Sequence, residues 1–102
     1  MRAPRSKRAV SVSDIAVHVL ITGRVQGVGY RYAAAEYAHE LELSGWVQNL
    51  PDGRVEALLC GEEEIVRTML GWMKEGPELA RVDDISVAPS TEVGPQPFQV
   101  RR

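Results

Sequence analysis

Residues 16–41 read AVHVLITGRVQGVGYRYAAAEYAHEL, and the order of the three parts of this stretch decides the fold. Residues 16–22 alternate imperfectly but are rich in β-formers, and Gly23 ends them, which predicts a buried first strand. Gly23, Gly27 and Gly29 then fall within seven residues, too dense for the interior of a strand or helix, so a loop follows. From Tyr30 to Leu41 the spacing of Tyr30, Ala34, Tyr37, Ala38 and Leu41 lays one apolar stripe along a helix, with Glu36, Glu40 and Glu42 off the stripe. A strand thus feeds a glycine loop, and the loop feeds a helix.

Beyond the helix, Ser44-Gly45 interrupts the pattern. Trp46, Val47 and Val55 flank the turn-forming run Leu50-Pro51-Asp52-Gly53-Arg54, so a β-hairpin is expected. Its second arm runs from Val55 through Cys60 to Gly61; Glu62, Glu63 and Glu64 then stand where a helix dipole favours acidic side chains. Ile65, Met69, Trp72 and Met73 share one face of this second helix, and Gly76-Pro77 stops it. Val82, Ile85 and Val87 mark another strand, and Phe98 and Val100 a short final one. The element order is β-α-β-β-α-β. That order predicts an α+β fold of the ferredoxin-like kind, a sandwich with an antiparallel sheet and two helices on one face.

The bulk numbers suit this reading. A chain of 102 residues, 44% hydrophobic and 25% charged, fits one soluble globular domain. Its apolar runs fall short of the roughly 20 residues that span a bilayer, so no membrane association is expected. Arg2, Arg5, Lys7 and Arg8 precede the first acidic residue, which sets off residues 1–13 as a basic, disordered tail ahead of a domain over 14–102. With four of the 12 basic residues in that tail, eight remain against 14 acidic ones, a formal charge of −6 that disfavours nucleic acid as a partner. The lone cysteine, Cys60, excludes an intrachain disulfide and suits the cytoplasm.

Function has to come from the site, because this arrangement hosts unrelated activities. Closely spaced glycines between a strand and a helix can turn several backbone N–H groups inward, and the helix adds its positive end: together, an anion cradle. Arg31 stands in the first helical turn, where the dipole disfavours a cation unless an anion is there to meet it, and its planar fork matches phosphate oxygens. Taken alone, this much also fits a tight turn followed by a solvent-facing arginine. Neither the Gly-Lys-Ser/Thr ending of a nucleotide P-loop nor a G-x-G-x-x-G run occurs in the loop.

Two longer motifs are more specific. Residues 23–31, GRVQGVGYR, resemble the signature loop of the acylphosphatase family, and residues 45–56, GWVQNLPDGRVE, resemble its second signature, in the same order and separation. The similarity continues through Gly76-Pro77 and Ala80-Arg81-Val82, covering roughly residues 15–102. The resemblance implies the ferredoxin-like fold and metal-independent hydrolysis of acyl phosphates to a carboxylate and inorganic phosphate, without a cofactor. It implies that the amides of Gln26, Gly27, Val28, Gly29, Tyr30 and Arg31 cradle the phosphate, that Arg31 binds it, and that Asn49 orients the catalytic water. Tyr30 stands where the family commonly has Phe and Gln48 where a basic residue is frequent, differences expected to bear on affinity more than on activity.

The remaining candidates have plainer readings. His18 and His39 lack metal-ligand spacing, Glu62–Glu64 fits a solvated helix start, Cys60 a small buried residue, and Trp46 and Trp72 the core. A monomer is expected. The alternative function is a non-catalytic ferredoxin-like module binding carbamoyl phosphate or nucleic acid; the stretch Arg54–Gly61 has no aromatic residue on which an RNA-recognition sheet would stack bases.

Overall fold

A computed structural model describes residues 14–102. The basic tail expected over residues 1–13 lies outside the described residues. The elements follow the expected order: β1 (Asp14–Arg24), α1 (Tyr30–Glu40), β2 (Ser44–Asn49), β3 (Val55–Glu62), α2 (Glu63–Glu75), β4 (Arg81–Pro89) and β5 (Gln99–Arg101). The strands form one sheet in the order β4-β1-β3-β2-β5.

Four of these strands make the antiparallel ferredoxin-like arrangement, with Val19 opposite Ala57 and Val87, and Val47 opposite Ala57. β5 joins β2 in parallel, Val47 facing Val100, so the complete sheet is mixed. The direction follows from the route of the chain. β4 and β5 occupy opposite edges, and the segment between them crosses the sheet and starts β5 from the end at which β4 finished.

Alternation separates the two faces. Val17, Val19, Ile21, Val47, Val55, Ala57 and Leu59 bury themselves against Tyr30, Ala34, Ala35 and Ala38 of α1 and Val66, Met69 and Met73 of α2. The other face holds Trp46 and Leu58, which are also buried. Here the crossing segment covers them. Gly45 N–H donates to the Pro95 carbonyl at 2.8 Å and Trp46 Nε1 to the Glu92 carboxylate at 3.3 Å. Trp46 is therefore a core residue on the helix-free face, while Trp72 packs between the helices against Tyr30 and Tyr37, at ring separations of 5.7 and 5.9 Å.

Tyr30 ties the helices together. Its ring is 1% exposed and its hydroxyl donates to the Met73 carbonyl at 2.8 Å. Burial pushes that hydroxyl's pKa well above the usual tyrosine value, so it stays a donor. Its partner needs one: in a continuing helix the Met73 carbonyl would accept from residue 77, which is Pro77 and has no N–H. The tyrosine side chain thus bears on helix docking, in keeping with its place on the apolar stripe of α1.

Candidate active site

β1, β2 and β5 all finish at one end of the sheet, and β3 and α1 begin there. The loop 25–29, Asn49 with the hairpin 50–54 that follows it, and Arg101 are thereby gathered from three parts of the chain. The loop is pinned from below by Val25, 1% exposed, and closes into α1 through Ala33 N–H to the Gly29 carbonyl at 3.0 Å.

The loop's shape depends on glycine at two positions. Gly27 and Gly29 have φ of 75° and 80°, the left-handed region, and an added Cβ at either would meet nothing within 4 Å. Backbone conformation alone therefore demands glycine there. Gly29 is also the N-cap of α1 and brings no side chain to occupy the first N–H groups; no acidic residue stands in the first turn. α2 is treated differently, with Glu63 and Glu64 in its first turn. The α1 terminus offers unpaired amides and a positive dipole end, a combination suited to an external anion.

Arg31 is half-buried beside these amides. Its Nη1 donates to the backbone carbonyl of Arg101 at 2.9 Å, and its guanidinium lies 5.7 Å from the Tyr32 ring. Among the described residues no carboxylate forms an ion pair with it. The carbonyl aims the fork without neutralising it, and the remaining N–H donors are left for an anion.

Asn49 ends β2, and its Oδ1 is buried without a hydrogen-bond partner among the described residues. Buried acceptors are nearly always paired, so an unpaired one at a candidate site points to a group supplied from outside the chain. Two contacts bring Asn49 to the loop. Gln26 Nε2 donates to the carbonyls of Leu50 and Arg54, both at 2.8 Å, and Arg101, which holds Arg31, sits opposite Gln48 in the β2–β5 pairing. Each residue flanking Asn49 is thus linked to the loop or to Arg31. The hairpin itself is stapled by Asp52, whose carboxylate accepts from the Arg54 amide at 3.0 Å and from its Nε at 2.9 Å. The Arg54 amide is the largest influence on that carboxyl; desolvation opposes it, the Arg54 guanidinium reinforces it, and the carboxyl is held below its usual range.

Other sequence candidates lie elsewhere. His18 Nε2 is 2.5 Å from the Glu56 carboxylate, which also accepts from Gln48 Nε2 at 2.6 Å, and His39 shares a 2.8 Å hydrogen bond with the Phe98 carbonyl. Gln48 is thus occupied on the helix-free face. Cys60 is half-exposed rather than buried, at a β3 position whose side chain leaves the core face, with Sγ 3.6 Å from the Glu92 carbonyl. Burial pushes its thiol pKa up, a backbone hydrogen bond from Gly94 opposes this and the Glu92 charge adds to it. Sequence reasoning missed the Gln26 side chain and the Arg101 carbonyl. A polar residue inside a glycine loop is a faint signal for the first; a backbone carbonyl gives none for the second.

Fold and site together define a class: a ferredoxin-like α+β domain whose first strand-to-helix loop turns on two left-handed glycines and opens onto a helix start without a side-chain cap. The chain belongs to the acylphosphatase family, whose model, described as Acylphosphatase, matches residues 17–100. A curated protein named Acylphosphatase from Trichormus variabilis is 50% identical over 88 residues, covering 86% of this chain and 87% of that protein. Among solved structures, that of an acylphosphatase from Coxiella burnetii superposes with a TM-score of 0.83 at 36% identity, over 87% of this chain and 94% of the other. The crystal structure of full-length HypF in its phosphate- and nucleotide-bound form is similar at a TM-score of 0.75 and 26% identity; the match covers 93% of this chain and 13% of that one.

Proposed function

We infer that this chain is an acylphosphatase, which hydrolyses the carboxyl–phosphate bond of acyl phosphates. The amides of residues 26–31 and the Arg31 guanidinium hold the phosphoryl group, and Asn49 orients the attacking water. All these groups come from one chain, so a single copy suffices.

The chemistry asks little of the protein beyond position and charge. The leaving group is a carboxylate whose parent acid has a pKa of about 4, so it departs without a general acid. The water oxygen bonds to phosphorus as the bridging P–O bond breaks, and that electron pair leaves on the carboxylate. One water proton passes to a phosphate oxygen, yielding inorganic phosphate. The developing charge is met by donors already in place: backbone amides fixed by Gly27 and Gly29, and a guanidinium fixed by Arg101. Asn49 is neutral, so it positions the water and does not deprotonate it.

The observation that best supports this reading is Asn49 Oδ1: a buried acceptor without a partner among the described residues, one residue before the carbonyl that Gln26 ties to the glycine loop. The test is hydrolysis of benzoyl phosphate by the purified protein with EDTA present. Turnover is expected. A correctly folded protein without turnover would remove the catalytic reading and turn attention to phosphate carriage without hydrolysis.

A further inference from the structure

Among the described residues, the side-chain hydrogen bonds that join the glycine loop to the hairpin come from Gln26, and both run from one nitrogen. Two carbonyl partners require the amide NH2 group, which fixes the orientation of the carboxamide. The hairpin does not need these bonds to close. Leu50 N–H already donates to the Arg54 carbonyl at 2.8 Å, and Gly53 N–H to the Leu50 carbonyl at 3.1 Å. Gln26 therefore occupies a second lone pair on each carbonyl. Nor does the loop need them for its own shape, which rests on Val25, the two left-handed glycines and the start of α1. What the two bonds do set is the distance between the pieces, because Leu50 follows Asn49 directly in the chain.

We propose that the Gln26 side chain is a positioning residue: it fixes the separation between the phosphate cradle and Asn49, and so the line along which the water meets phosphorus. This rests on the acylphosphatase reading. Reacting atoms must sit within about 3–3.5 Å and in line, and a displacement of about 1 Å can cost on the order of a hundredfold in rate. Phosphate affinity belongs to the cradle and Arg31. Loss of the clip therefore falls on turnover and spares binding.

The experiment compares wild type, Gln26→Met and Asn49→Ala with benzoyl phosphate as substrate and inorganic phosphate as competitive inhibitor. Met keeps the length of Gln without its donors. For Gln26→Met, kcat is expected to fall about tenfold while the phosphate inhibition constant stays within about twofold. Unchanged kcat would overturn the proposal, as would a loss of phosphate affinity matching the loss of rate, which would make Gln26 a support of the cradle alone. Gln26→Ala, read by the same two constants, serves if the Met variant does not fold. Full activity in Asn49→Ala would overturn the clip together with the site assignment beneath it, whereas an inactive Asn49→Ala beside a fully active Gln26→Met would overturn the clip alone.

Discussion

Replacing Tyr30 with Phe removes one oxygen from between the helices and should weaken the fold without touching catalysis. The ring stays, with its packing against Trp72 at 5.7 Å, so no cavity of consequence opens. What is lost is the 2.8 Å hydrogen bond to the Met73 carbonyl, whose ordinary helical partner is replaced by Pro77. A buried hydrogen bond contributes about 1 kcal/mol net, and leaving its acceptor unpaired costs about 1–3 kcal/mol, so a loss of about 1–2 kcal/mol is expected. For a domain of this size that corresponds to a melting temperature lower by roughly 4–12 °C. In urea it corresponds to a midpoint lower by roughly 1 M. Unfolding followed by tryptophan fluorescence reads it, since Trp72 lies against Tyr30. Turnover of benzoyl phosphate should be unchanged, because Tyr30 is expected to serve the site through its backbone N–H alone. An unaltered midpoint, or a stable variant with reduced turnover, would refute this division of roles.

Other perturbations separate other parts of the account. Gly29→Ala forces a side chain into the left-handed region at φ 80° with no steric clash to add, so stability should fall by about 1–2 kcal/mol by thermal melting and phosphate inhibition should weaken as the loop relaxes. Arg31→Ala should raise the inhibition constant for inorganic phosphate by at least about tenfold, the loss of one charge-assisted contact. Glu56 gives a pH signature: burial raises its pKa, but the hydrogen bonds from Gln48 and His18 and the charges of His18 and Arg101 outweigh this and hold it below the usual range. A depressed folded value stabilises above the unfolded carboxylate pKa, about 4.3, and that contribution vanishes as pH falls through the folded value. Melting-temperature differences between wild type and Glu56→Gln should therefore be full near neutrality and close in acid; a constant gap would show that the carboxylate charge is not what stabilises.

The strand, glycine loop and helix were legible because each announces itself locally: β-formers, three glycines close together, then an apolar stripe of helical period. The role expected of Asn49 came from the resemblance of residues 45–56 to a family signature; the local pattern gave only its place on a strand just before a turn. The parallel pairing of β5 was not, since it depends on the 90–98 segment crossing the sheet from one edge to the other, and a three-residue strand has too little pattern to announce a direction. The partners of Arg31 and Gln26 were hidden in another way. They are backbone carbonyls 70, 24 and 28 positions away, and every residue has a carbonyl. Tyr30 was legible in part: the apolar stripe put its side chain in the core, but its bond to the Met73 carbonyl, 43 positions away, left no mark in the sequence.

The central claim is that water oriented by Asn49 attacks phosphorus. The most direct test is hydrolysis of benzoyl phosphate in 18O-enriched water by wild type and by Asn49→Ala, with label located by mass spectrometry. The expected result is label in the phosphate and none in the benzoate for wild type, with turnover lost in the variant. Label in the benzoate would mean attack at the carbonyl carbon and would contradict the account, as would an Asn49→Ala enzyme that labels phosphate at the wild-type rate.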